Sequence, residues 1–203
     1  MREHPFEALP DTVEVGGRRV PVETDFRFGV ALETELFCDA PDVEGLLRRF
    51  YLQGIPSPVE EAVRRMIEFY AHGDRPQGGG QGGDVKRCYD FAQDADALLA
   101  SFLDAYGIDL STAKLHWWTF RRLMLNLPAD SPFMARIRYR TADLKKLGQE
   151  ERKHYKKMRA LYAIRTAGER PPQTVAQREE ALREKVRRRF EEARERTDAG
   201  GAE

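Results

Sequence analysis

The chain has 203 residues and a mass of 23.3 kDa, enough for one ordinary domain with an appendage but too little for two large enzymatic domains. Its 34 lysines and arginines balance its 34 aspartates and glutamates, which argues against a dedicated nucleic-acid coat protein or a polybasic membrane binder. Charged residues make up 33% and hydrophobic residues 41%, so we expect a globule with a solvated extension.

The N-terminal third predicts one hairpin followed by three helices. Residues 13–22 alternate apolar and polar side chains around a Gly-Gly turn, which indicates a hairpin within residues 12–23. A first helix is predicted over about residues 26–37, and a second begins near Pro41. Residues 57–60 have the pattern of a capping box that starts a third helix.

A glycine-rich segment follows the third helix. Six residues, 78–83, are glycine apart from one glutamine, so we predict a flexible loop over residues 73–87. A phosphate-binding loop would need a preceding strand and a following Gly-Lys-Ser/Thr step, and neither is present. The loop is therefore expected to separate two helical layers.

The next helix is the most regular in the chain. Its apolar face is predicted to form core, with these members: Phe91, Leu98, Leu99, Phe102 and Tyr106. The acidic residues Asp94, Asp96 and Asp104 fall elsewhere, and no histidine or second acidic helix is placed to complete a metal site. We therefore expect them on a solvated face.

A tryptophan-containing helix is predicted over residues 112–127, with Ser111 as its cap. One broad sector is expected to form core and includes Trp117, Phe120 and Met124. A separate narrow stripe holds Trp118 and Leu125, bordered by Arg121 and Arg122. Such a helix is either sandwiched between two layers or partly exposed at an interface. In the second case these four residues are candidates for binding a partner.

The C-terminal third is predicted to be helical and strongly charged. A short basic helix starts at Ser131-Pro132, and another covers residues 149–165, with its acids first and its bases later. Beyond it we expect a charged helical or disordered tail over residues 166–203. The predicted fold is thus mainly α: a compact helical domain of six to seven helices over residues 1–165, with a small hairpin and a charged C-terminal helix.

The sequence shows no arrangement that would support catalysis. No nucleophile stands beside a base, the four histidines are dispersed, and Cys38 and Cys88 belong to no metal-binding cluster. His116 is expected to be a hydrogen-bonded structural histidine. We predict a non-enzymatic protein without cofactor or metal.

No apolar signal region opens the chain, and no stretch approaches the ~20 apolar residues of a membrane span. These observations predict a cytoplasmic protein without a membrane partner.

Several motifs in fixed order resemble a known family. They are Thr24-Asp25-Phe26-Arg27 after the hairpin, Tyr89-Asp90-Phe91, Tyr106-Gly107-Ile108-Asp109-Leu110, Leu115-His116-Trp117-Trp118-Thr119-Phe120, and Arg138-Tyr139-Arg140 before Glu150-Glu151-Arg152. The series resembles the bacteriophage tail-assembly-chaperone-like family, which tailed phages and prophages encode near the tape-measure gene. The resemblance covers about residues 10–165, and the glycine insert and the charged tail depart from it.

The resemblance implies a non-enzymatic chaperone that binds the tape-measure protein and assists tail-tube assembly, with the tail-tube protein as a second partner. It further implies action in the host bacterial cytoplasm and absence from the mature virion. The resemblance leaves open whether the protein forms a homo-oligomer.

Two alternatives remain. One is a structural tail or connector component of the virion. The other is a DNA-binding helical module, because a glycine lies between two helices and five basic side chains could meet phosphates: Arg136, Arg138, Arg140, Lys145 and Lys146. Against nucleic acid, the would-be recognition helix carries tryptophan, leucine and methionine where base-reading polar side chains are expected.

Overall fold

The computed structural model describes residues 8–36, 41–71 and 88–165, together with Arg187. The predicted loop 73–87 and, apart from Arg187, the predicted tail 166–203 lie outside the described residues. Within them the chain is mainly α with one small antiparallel hairpin, which confirms the predicted fold class. No described helix has both the length and the apolar character needed to cross a membrane.

The described elements follow in chain order. They are β1 Thr12–Val15, β2 Arg18–Pro21, α1 Phe26–Leu36, α2 Val43–Phe50, α3 Val59–Ala71, α4 Ala95–Tyr106, α5 Trp117–Leu125, α6 Pro132–Thr141 and α7 Gln149–Leu161. A single 3-10 turn, Leu144–Lys146, precedes α7.

Contacts within the chain define two compact units. Of the described residues, the first unit contains 8–36, 41–71, 115–120 and Arg187, and the second contains 88–114 and 121–165. The boundary therefore falls inside α5, whose first turn belongs to the first unit and whose remainder belongs to the second. Trp117, Trp118 and Phe120 are therefore buried in the first unit, whereas Met124 of the same helix is buried in the second.

The predicted hairpin is confirmed and is fastened to helices of the first unit. Gly16 and Gly17 take positive φ angles of 56° and 73°, which suit a two-residue turn between β1 and β2. Val22, just after β2, forms a backbone bridge with Tyr51. The amide of Gly16 donates to Glu61 Oε2 at 3.0 Å and thereby lowers the pKa of that carboxyl group. A lone hairpin needs such support because two strands alone are marginally stable.

Aromatic rings dominate the core of the first unit. Phe28 stacks on Phe50 with 5.3 Å between centroids, and Phe26 stacks on Phe120 at 4.7 Å. The apolar side chains of α2 are buried, and Asp42 caps that helix by accepting from the Gly45 amide at 3.0 Å. Burial raises the pKa of Tyr51, whose hydroxyl donates to Ala62 O at 2.6 Å.

The prediction that α5 starts at residue 112 is wrong, because the helix begins only at Trp117. The preceding chain pairs with the backbone before α1: Phe26 N donates to Leu115 O at 2.9 Å, and Trp117 N donates to Thr24 O at 2.7 Å. Ser111 does not cap a helix but bonds to Asp109 within a turn. Long-range backbone hydrogen bonds therefore override the local helical pattern.

The second unit packs α4 against α6, and α6 against α7. Gly107 ends α4 in the left-handed conformation at φ 65°, and Ser131 caps α6 by accepting from the Met134 amide. Ser101 Oγ accepts from Phe133 N at 3.0 Å at the buried contact between the two helices. The largest buried apolar side chains of this unit are Phe91, Leu98, Leu110, Phe102, Met124, Leu127 and Phe133.

Two residues predicted as core differ from that expectation. Leu99 is 37% exposed and is not a core residue, because α4 turns Leu98 and Phe102 inward and leaves Leu99 beside that face. Tyr106 is half-buried, and its hydroxyl donates to Leu123 O at 2.9 Å. The mixed position of the tyrosine suits a ring with one polar end.

Candidate functional site

Trp117 occupies the middle of the first unit's core. Its side chain is 2% exposed, it stacks on Tyr70 with 5.2 Å between centroids, and its Nε1 donates to Tyr70 O at 3.0 Å. Gly29 of α1 faces the indole, and a Cβ added there would overlap the ring. The glycine therefore makes room for the tryptophan.

Trp118, a candidate for partner binding, is also buried. It is 6% exposed, its ring packs on Phe69 at 5.2 Å, and its Nε1 donates to Phe69 O at 2.8 Å. The interpretation of Trp118 as an exposed aromatic anchor is therefore wrong. The signal that sequence reasoning lacked was the pair of carbonyls at the end of α3, which accept from both indoles.

We expect Trp118→Phe to lower the free energy of unfolding by about 1–3 kcal/mol, because it keeps a buried ring but leaves the Phe69 carbonyl without the indole donor. Urea titration followed by far-UV circular dichroism measures the change. Trp118→Phe should leave partner binding intact at temperatures where it is folded. Loss of binding without loss of stability would contradict this structural role.

The other three candidates of the narrow stripe divide between interior and surface. Arg121 is 5% exposed and its Nη1 donates to the Tyr89 hydroxyl at 2.8 Å. Arg122 is exposed, and Leu125 is 58% exposed. Only Arg122 and Leu125 present side chains that a partner can reach, and their binding role stays a prediction.

His116 is a hydrogen-bonded structural residue, as predicted. Its Nε2 lies 3.0 Å from Pro10 O, and the Trp118 amide donates to Nδ1 at 3.1 Å. An accepting Nδ1 assigns the proton to Nε2, which then donates to the Pro10 carbonyl. The imidazole thus joins the N-terminal chain to the start of α5.

An ion cluster lies in the interior of the second unit. Asp94, 1% exposed at the start of α4, accepts from Arg140 of α6 at 2.6 and 2.8 Å and from Arg136 at 3.3 Å. Arg136 also makes a two-pronged contact with Asp96 at 2.9 and 2.7 Å. We call Asp94, Arg136 and Arg140 the Asp94 clasp.

The same clasp holds two distant points of the chain. Arg140 Nη1 donates to Cys88 O at 3.0 Å, and its Nε donates to Tyr162 O at 2.6 Å. Next to it, the Gln93 amide group both donates to Arg165 O at 3.0 Å and accepts from Arg165 N at 2.9 Å. The first and last described residues of the second unit are therefore fastened beside Asp94.

Electrostatics keep the clasp charged. Burial alone would raise the pKa of Asp94, but hydrogen bonds from Arg140 and from the Asp90 amide outweigh it and hold that pKa below its usual range. A hydrogen bond from Arg136 lowers the pKa of Asp96, and the same contact raises the pKa of Arg136. These groups form a structural ion cluster rather than a pair poised to exchange protons near neutral pH.

The clasp corrects two expectations from the sequence. Asp94 was expected on a solvated face, yet it is buried; Arg136 and Arg140 were candidates for phosphate contact, yet their guanidinium groups are engaged on carboxylates and carbonyls. The missed signal was the spacing of Arg136 and Arg140, which puts both on one face of α6. Among the described residues, no group of three or more histidine, cysteine or acidic side chains could hold a metal ion.

Exposed leucines provide the apolar surface of the second unit. Leu103 of α4 is 51% exposed and lies one helical turn from Leu99, which is 37% exposed. We call Leu99 and Leu103 the leucine pair. Their spacing of four residues places them on one helical face, the arrangement that contacts the apolar stripe of another helix.

Comparisons with known proteins agree with the phage motifs. The family described as Bacteriophage Gp15 protein matches residues 6–164 of this chain. No curated protein and no solved structure matches the chain.

Proposed function

We infer, from the fact that this chain belongs to the Bacteriophage Gp15 protein family, that it is a non-enzymatic tail assembly chaperone for the tape-measure protein. The observation that carries the inference is the match over residues 6–164, which includes the elements β1 to α7. The resemblance of the tryptophan motif and its neighbours to the tail-assembly-chaperone-like family supports the finer role. We propose the tail-tube protein as a second partner.

A physical reason supports this function. A long helical client exposes an apolar stripe that aggregates unless another apolar surface covers it. Helix-to-helix docking satisfies such a stripe through side chains spaced three or four residues apart. The leucine pair on α4 has this spacing, and Leu125 of α5 adds exposed apolar area in the same unit.

The proposed contact surface differs from the one predicted by sequence. Trp118 and Arg121 are buried, so the leucine pair replaces them, whereas Arg122 and Leu125 are retained. Binding by exposed leucines requires no cofactor or covalent chemistry. We therefore propose that the protein acts by covering its client.

The double substitution Leu99→Gln with Leu103→Gln should leave the chain folded, since substitutions at exposed positions change stability by about 0.5 kcal/mol or less. Co-expression of the wild-type chain should raise the soluble fraction of the tape-measure protein, and the double variant should lose most of that effect. The measurement is the soluble-to-total ratio of the client on quantitative immunoblots.

Leu52→Gln provides the matched control, because Leu52 is 60% exposed but lies in the first unit. It should behave as wild type. Equal client solubility with and without the wild-type chain would refute the chaperone function, whereas equal activity of the double variant would refute only the leucine pair.

The location of the protein distinguishes a chaperone from a structural component of the virion. We propose that the protein acts in the host cytoplasm and leaves before the particle is complete. Mass spectrometry of purified virions should then find the tail-tube and tape-measure proteins but not this chain. Its presence in particles at a fixed ratio to the tape-measure protein would favour the structural tail or connector role.

A further inference from the structure

Charge is segregated along this neutral chain. Residues 1–135 contain 22 acidic and 14 basic residues, whereas residues 136–165 contain 11 basic and only 3 acidic ones. Residues 166–203 contain nine of each sign. The segment that forms α6, the 3-10 turn and α7 of the second unit therefore carries a net charge of +8.

Five of the six arginines of this segment donate from their side chains to carboxylates or carbonyls of the second unit. Besides the clasp contacts of Arg140, Arg159 donates to Tyr139 O and Ala142 O. Arg152 donates to Leu144 O at 2.9 Å and to Leu147 O at 3.0 Å, which holds the 3-10 turn against α7. With these guanidinium groups engaged on carbonyls, the positive charge that faces solvent belongs mainly to lysines.

Five exposed lysines lie on α7 and on the 3-10 turn bonded to it. On α7, at about 100° per residue, Lys153, Lys156 and Lys157 lie within about 100° of the helix circumference. Lys145 and Lys146 belong to the turn that Arg152 holds on the same helix. We call these five residues the lysine face. Lys153 pairs with Glu150 at 2.8 Å, and no carboxylate in the described part of the chain pairs with the other four.

This arrangement costs stability within the chain. Like charges three or four residues apart on a helix repel by about 0.2–0.5 kcal/mol per pair, and Lys153 has two such neighbours. The opposite side of α7 carries the docking contacts, with Tyr155 and Tyr162 against Tyr139 at 5.1 and 6.1 Å between centroids. The lysines contribute nothing visible to that docking, so their charge is available to a partner.

We propose that the lysine face binds an acidic amphipathic helix of the client, an inference that rests on the proposed function. Carboxylates three and four residues apart on such a helix repeat with the same pitch as the lysines of α7. Leu161, 64% exposed, lies one turn beyond Lys157 and offers an apolar contact at the end of the face. Opposite charge supplies orientation and rapid association, and the leucine adds burial.

Nucleic acid fits this face less well. Arginine forks make the commonest specific contacts with guanine and bind phosphate with two prongs. Here Arg140 uses its fork on the Asp94 carboxylate, and Arg152 and Arg159 use theirs on backbone carbonyls. The aromatic rings that could stack on bases pack on one another instead. A polypeptide helix with both carboxylates and apolar side chains matches the lysine face and Leu161 together.

The test uses the full-length chain and two fluorescein-labelled probes. One is a synthetic helix of about three heptads with glutamates on one face and leucines beside them; the other is duplex DNA of about equal charge. Binding is followed by fluorescence anisotropy at about 0.1 M salt. We expect the peptide to bind more tightly than the DNA, and Lys153→Gln with Lys156→Gln and Lys157→Gln to weaken it about tenfold or more.

The matched control removes the same charge elsewhere, by Arg18→Gln with Arg19→Gln and Lys114→Gln, all exposed residues. It should bind the peptide within about twofold of wild type. Equal weakening in both triple variants, an unchanged lysine variant, or tighter binding of DNA than of peptide would each overturn the proposal.

Co-expression with the tape-measure protein distinguishes a failure of the lysine face from a failure of the chaperone function. If the wild-type chain and the lysine variant raise client solubility equally, the lysine face is refuted and the chaperone function stands. If the wild-type chain fails to raise client solubility, the chaperone function is refuted, whatever the peptide shows. Reduced solubility with the lysine variant alone supports both.

Discussion

Replacing Trp117 by alanine should destabilise the first unit by about 3–5 kcal/mol, a large part of the stability of a small domain. The substitution empties a site at the centre of the aromatic core and leaves Tyr70 O without its indole donor. Both tryptophans of the chain lie in this unit, so the emission of the remaining Trp118 reports its unfolding directly. Urea titration should show the variant largely unfolded near room temperature.

Two further variants locate the cause of this loss. Gly29→Ala keeps the tryptophan but forces a methyl group into its ring, and should cost about 1–3 kcal/mol through overpacking. Leu52→Ala removes a leucine that is 60% exposed in the same unit and should change stability by about 0.5 kcal/mol or less. A Trp117→Ala variant as stable as Leu52→Ala would contradict the described core.

Replacing Asp94 by alanine should destabilise the second unit by about 3–5 kcal/mol, because it strands the nearly buried Arg140 without its carboxylate. Hydrogen–deuterium exchange read by mass spectrometry should show faster exchange in α4, α6 and α7. Asp96→Ala is the matched control, since its side chain is 73% exposed and its pair with Arg136 contributes about 1 kcal/mol or less.

The Asp94 clasp also predicts an acid limit for the second unit. The pKa of Asp94 is lowered in the folded chain, so the stability that it contributes is present above its ordinary value of 3.8 and is lost as pH falls through the lowered value. Protection factors in α4 and α6, which are exchange rates corrected for the intrinsic pH dependence of amide exchange, should therefore fall at pH values below that ordinary pKa. Asp94→Ala should show less of this fall, and an identical acid profile of the protection factors in both proteins would contradict the assignment.

Much of the fold follows from local patterns in the sequence. The Gly-Gly turn predicts the hairpin, the apolar spacing from Val43 to Tyr51 predicts the buried side of α2, and Ser131-Pro132 predicts the start of α6. These features depend on neighbours within one or two turns, where propensity and periodicity are informative. The family resemblance likewise rested on short motifs in fixed order.

What the sequence could not provide depends on contacts between distant residues. The sequence pattern assigns Trp118 to a separate stripe, because its hydrogen-bond acceptor, Phe69 O, lies in α3 and has no sequence signature. The late start of α5 is set by backbone bonds to residues 24 and 26. The sequence predicts an exposed Asp94, because the arginines that neutralise it lie more than forty positions later. Each miss is a case in which tertiary partners override local preference.

The fastening of Cys88 and Arg165 beside one aspartate has a mechanical consequence. Cys88 and Arg165 are the first and last described residues of the second unit, and both are bonded to residues around Asp94. Tension applied between the preceding and the following chain is therefore transmitted first to Arg140, Gln93 and Asp94. The helices between those points carry no load until these hydrogen bonds break. The clasp therefore protects the helices of the second unit from tension along the chain.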